Sequence, residues 1–158
     1  MKLKIAATVL GLAAMNNIYA AQCPEVSQIS QKAQADGGFE YKAPFSKVGK
    51  KLEWIGGDKW NNESDKEKFA FTSVRIQPEI IDKADPKKSK VWAVICRYEG
   101  QGVGNEEANV TMVLKPGKKV KTDSPNWGKP SKDSSSTAPV GKLDCVAEDP
   151  AECAFKLN

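Results

Sequence analysis

The sequence predicts an all-β protein, a small antiparallel β-sandwich with one short N-terminal helix and two disulfides. Three observations predict it. Short stretches of alternating apolar residues recur between Pro and Gly breakers. One of them, Val91 to Glu99, is apolar on both faces, as a strand covered on both sides must be. Four cysteines, Cys23, Cys96, Cys145 and Cys153, follow a short apolar leader, the usage of a chain that matures in an oxidising compartment.

The leader comes first. Lys2 and Lys4 precede an apolar run from Ile5 to Met15, which is long enough for a signal-peptide core and too short to cross a bilayer. Ala20 offers a small residue for cleavage, so residues 1–20 read as a signal peptide and residues 21–158 as a single β-rich domain of 138 residues (158 − 20). Gln22, directly before Cys23, is not the small residue that lipid attachment needs. No later stretch is apolar enough for a membrane span.

Pro24 can open a helix, and Val26, Ile29 and Ala33 follow at helical spacing, so a short helix is expected over about residues 24–35, ended by Asp36-Gly37-Gly38. Phe39, Tyr41 and Ala43 then alternate up to Pro44, and Leu52 and Trp54 alternate up to Gly56-Gly57, which predicts two short strands. Lys68 to Gln77 changes parity, Phe69 and Phe71 against Val74 and Ile76. A bulge near Thr72-Ser73 is therefore expected, with Pro78 as the stop. Asp82 to Lys90 reads as a polar turn. In the central strand Trp92, Val94, Cys96 and Tyr98 share one face. A glycine-rich loop, Gly100 to Asn109, should join it to an antiparallel partner, Val110 to Leu114, closed by Pro116-Gly117. Residues 122–142, rich in Ser, Pro and Lys, read as an extended surface loop, and Val140–Val146 and Ala154–Leu157 as two last short strands.

Four cysteines allow three pairings. Cys145 and Cys153 enclose seven residues that include the turn dipeptide Asp149-Pro150, which favours joining them and leaves Cys23 with Cys96. Cys96–Cys145 with Cys23–Cys153 is the alternative.

The chemistry is bounded by what is missing. The chain has no histidine, the commonest metal ligand and general base. Metal and cofactor are therefore not expected, and neither is a catalytic residue. The Ser-Lys neighbours Ser46-Lys47, Ser89-Lys90 and Ser131-Lys132 sit in polar stretches and read as solvated pairs. Asp58, Glu63 and Asp65, near Trp54 and Trp60, form the best carboxylate cluster and read first as a surface turn. Lys+Arg total 24, of which only Arg75 and Arg97 are arginines, leaving 22 lysines; without the two leader lysines the charge is 22 − 20, or +2. That balance, and the scarcity of arginine forks, argue against nucleic acid. What remains is binding. Trp60 and Trp127, large aromatics in polar loops, and Lys118 and Lys119 in the basic run LKPGKKVK are the candidate contact residues.

Cys23-Pro24, Cys96-Arg97-Tyr98 and Cys145 with Cys153-Ala154-Phe155 form a pattern that resembles small exported bacterial proteins of uncharacterised function, and among them the EirA-like periplasmic proteins associated with type IV secretion. The resemblance implies a periplasmic accessory protein that contacts an envelope or secretion-system protein. It carries no catalytic residues. A carbohydrate or peptidoglycan module using Trp60 and Trp127 is the alternative. A secreted enzyme inhibitor presenting the lysine turn and the glycine loop is another.

Overall fold

The computed structural model describes residues 20–47, 50–80, 90–101, 107–128 and 142–157. The leader up to residue 19, the polar turn at 81–89, the tip of the glycine loop at 102–106 and most of the Ser/Pro/Lys-rich loop, 129–141, lie outside them.

Within the described residues nine strands run β1 (Ser30–Ala33), β2 (Phe39–Lys47), β3 (Lys50–Asp58), β4 (Ala70–Ile80), β5 (Lys90–Gln101), β6 (Glu107–Leu114), β7 (Val120–Thr122), β8 (Leu143–Val146) and β9 (Phe155–Leu157). Seven form one sheet in the order β1-β2-β3-β6-β5-β4-β8, and β7 and β9 form a two-stranded ribbon. Every pairing is antiparallel.

Alternation decides the faces. Val74 pairs with Cys96 and Ile76 with Val94, and these in turn pair with Met112 and Leu114, so the buried residues of β4, β5 and β6 line one face. The ribbon supplies the opposing layer with Val120 and Phe155, both buried; Phe155 meets Trp54 edge-on with ring centroids 6.4 Å apart. The N-terminal segment completes that layer. Ala21 and Phe155 exchange backbone hydrogen bonds of 2.7 and 2.8 Å. Cys23 is bonded to Cys96, and the Tyr98 hydroxyl donates to Pro24 O at 2.6 Å. Burial, and to a smaller extent the charge of Glu25, push the Tyr98 hydroxyl pKa well above its ordinary value.

Cys23–Cys96 and Cys145–Cys153 are the disulfides. The parity change in β4 is a bulge between Phe71 and Ser73, and β5 is an interior strand paired with β6 across the glycine loop.

The helix expected over 24–35 does not form. A single 3-10 turn, Val26–Gln28, is followed directly by β1. The disulfide and the Tyr98 bond hold the start of the segment against the sheet, and Ile29 drops into the core, 1% exposed. The polar residues that follow then satisfy the open edge of β2, whose backbone groups would otherwise lack a strand partner.

Two prolines expected as stops lie inside strands. Pro44 pairs with Glu53 and Pro78 with Trp92. The flanking edge strands end short of both: β1 reaches only Lys42, and β8 only Ile76. On that side there is no ladder to lose, so a missing N–H costs nothing. The Gly56-Gly57 stop also gives way, because β3 continues to Asp58. A Cβ on Gly56 would stand 2.6 Å from Thr111 O and 2.8 Å from Met112 Sδ, so the glycine lets β3 and β6 close up.

A candidate binding corner at Trp60

β3 ends at Asp58, and the chain must turn sharply to reach β4. Asp58 builds the turn: one carboxylate oxygen accepts the backbone N–H of Trp60 at 2.7 Å and of Asn61 at 2.9 Å. Asn61 is buried. Its side-chain amide donates to Tyr41 Oη at 3.2 Å and to Asn109 O at 2.9 Å, which ties the turn to β2 and to the start of β6. Asn62 then caps a 3-10 turn, Glu63–Lys68, reciprocally with Asp65: Asp65 Oδ2 accepts the Asn62 N–H at 2.7 Å. Asp65 is 2% exposed, and its other oxygen faces Lys68 Nζ at 3.9 Å. Desolvation chiefly, with the nearby charges of Asp58 and Asp65, raises the Tyr41 hydroxyl pKa, against the lowering effect of the Asn61 hydrogen bond.

These bonds leave Trp60 outside. Its side chain is 87% exposed, on a turn whose neighbours on both sides are fixed by hydrogen bonds. An indole in water forfeits the transfer energy its area could gain on burial, so a rigid display of this kind suits contact with another surface. The carboxylates of Asp58 and Asp65 are occupied in holding the backbone. Glu63 stands exposed in the first turn of the 3-10 segment.

The other candidate residues lie elsewhere. Trp127 is half-buried and packs against the core, and its indole N–H donates to Ala154 O at 2.7 Å. Lys118 and Lys119 are exposed between β6 and β7. Trp60 sits beside Asn109 near the start of β6, and the lysines follow its end at Leu114, so the sheet separates them by the length of that strand. Lys119 lies over Trp92, 5.8 Å from the ring centroid. Sequence reasoning passed over Asn61 and Tyr41, which position the corner; a buried Asn carries no periodic signal. Among the described residues no group of three or more metal-ligating side chains exists, and no helix is long and apolar enough to cross a membrane.

Comparison with known proteins gives one match. A family model described as "Protein of unknown function (DUF3757)" matches residues 15–156. No curated protein and no solved structure matches the chain.

Proposed function

The chain belongs to the DUF3757 family, and from that premise we propose that it is a non-catalytic, exported accessory protein that binds a protein partner through the Trp60 corner. The observation that carries this reading is the fully displayed indole on a turn immobilised by Asp58 and Asn61. Rigid aromatic anchors dominate the energetics of protein interfaces because they lose little entropy on docking. The engagement of the two turn carboxylates by backbone N–H groups supports a structural role for them.

The two disulfides favour an oxidising compartment, and with the leader they support a periplasmic location reached through cleavage after Ala20. The cysteine pattern's resemblance to EirA-like proteins extends the reading to an envelope or secretion-system partner and to a part in intracellular replication. Amino-terminal sequencing of the exported protein should begin at Ala21; an intact Met1 would remove the export premise.

The binding reading is tested by placing a photo-crosslinking amino acid at position 60 in cells, with position 111, exposed on the outer face of β6, as control. A discrete protein adduct confined to position 60 is expected. Equal adducts at both positions would discard the corner as the contact. Retention on purified peptidoglycan that is lost in Trp60→Ala would transfer the corner to a carbohydrate ligand.

A further inference from the structure

The near-neutral total charge conceals a division along the sheet. At the Trp60 end, Asp36, Asp58, Glu63, Asp65, Glu99 and Glu107 outnumber Lys59, Lys66 and Lys68. The opposite end is lysine-bearing. Because β3 runs antiparallel to β6 through the Ile55–Val113 pair, the β2–β3 hairpin lies at the end where β6 runs out. There Lys51, Lys115, Lys118, Lys119 and Lys121 are exposed, with Lys47, Lys50 and Lys90 placed at strand ends around them. Among the described residues, exposed Glu53, and Glu79 by position, are the opposing acids.

We infer that this lysine-bearing end docks on anionic phospholipid headgroups, with the Trp60 corner held away from the bilayer. The patch gathers lysines from the tips of neighbouring strands at one end of the sheet, which suits a surface of many phosphates. Lysine suffices there, because headgroups move to meet a point charge and need no arginine fork. Arg75 is committed elsewhere, to Asp144 at 2.7 Å on the outer face. Trp92, half-buried at the same end under Lys119, is the residue type that settles at the headgroup level. The inference stands independently of the partner proposed for Trp60.

The test is co-sedimentation of the disulfide-bonded protein with vesicles of two parts phosphatidylcholine to one part phosphatidylglycerol, against phosphatidylcholine alone. Binding should require phosphatidylglycerol and weaken as salt rises to about 0.15 M. The double change Lys118→Ala, Lys119→Ala should lower the partition roughly 30-fold, at about five-fold for each lysine near an anionic surface. Lys59→Ala with Lys66→Ala, at the other end, should leave it unchanged. Iodide should still quench the Trp60 emission, obtained as the difference from Trp60→Phe, when the protein is bound to vesicles. Partition without phosphatidylglycerol, equal loss in both double variants, or shielding of Trp60 would overturn the inference. Binding to soluble polyphosphate without vesicle partition would assign the end to a soluble polyanion and overturn it too.

Discussion

Trp60 and Trp127 occupy similar sequence settings and end in opposite states. Each sits in a polar turn shaped by a side chain just upstream: Asp58 accepts the Trp60 N–H, and Ser124 accepts the Asn126 N–H at 3.2 Å. Trp127 is nonetheless drawn inward. Ser124 and Asn126 bond the backbone of Glu152, Gly128 donates to Asp144 O at 2.8 Å, and the indole finds Ala154 O. The turn is thereby laid onto the loop that Cys145–Cys153 closes. Trp60 has its turn bonded just as firmly, but through its backbone N–H and its neighbours, which leaves the indole outside. A tryptophan's fate is set by whether a carbonyl and an apolar wall lie within its reach, which is a property of elements distant in sequence.

This contrast can be broken at the inward residue first. Trp127→Ala should cost about 3 kcal/mol in urea unfolding, from lost packing and the loss of one of the two hydrogen bonds on the Ala154 carbonyl, which keeps the Asp123 N–H, with Trp127→Phe recovering most of the packing share. Replacing Cys145 and Cys153 by serine removes the loop that receives Trp127. The chain-entropy argument puts the loss near 2.5 kcal/mol, against about 4.5 for Cys23–Cys96. Loss from the short link equal to or above that from the long one would mean that native packing, rather than loop length, sets its value.

At the outward residue the effects are smaller and different in kind. Asp65→Ala should cost about 2 kcal/mol, because it strips the cap from Asn62 and leaves Lys68 without its partner. It should also speed amide exchange at Asn62, while Trp127 contacts stay intact. Alkaline titration probes the tyrosines near each region. Tyr41 supports the Trp60 corner, Tyr98 anchors the N-terminal segment, and both hydroxyls are raised above the ordinary 10.0. A raised folded-state value means the unfolded chain ionises first. Stability is therefore full below pH 10 and falls as pH climbs from there towards the folded-state values, at up to about 1.4 kcal/mol per pH unit for each tyrosine. Tyr98→Phe should flatten that slope; an unchanged slope would show that the hydroxyl does not contribute. Last, Trp60→Ala should move stability by no more than about 0.5 kcal/mol while abolishing the position-60 contact. A large stability loss would place Trp60 with Trp127 among the packing residues.

Periodicity made much of the sheet legible. Val91 to Glu99 and Val110 to Leu114 alternate cleanly, and the parity change at Thr72-Ser73 marked a bulge that exists. The same rule misread Val26, Ile29 and Ala33. Three apolar residues at helical spacing satisfy a helix, but equally a single plug at Ile29 followed by a polar edge strand. Pro44, Pro78 and Gly56-Gly57 were misread because a breaker's cost depends on what lies beside the strand. For the candidate site, Trp60, Asp58 and Asp65 stood out by residue type, whereas Asn61, Tyr41 and Asn109 did not.

The sequence by itself determined most of the strand content, favoured the disulfide frame that forms and excluded histidine-based chemistry. These are local or compositional properties, fixed by side-chain period, the enclosed Asp149-Pro150 turn and a count. Tertiary structure alone decided which tryptophan faces water, which lysines share an end and whether a proline stops a strand. Each of those depends on the antiparallel register that sets Ile55 against Val113 and halts β8 at Ile76, and long-range pairings of that kind leave no periodic trace in the chain.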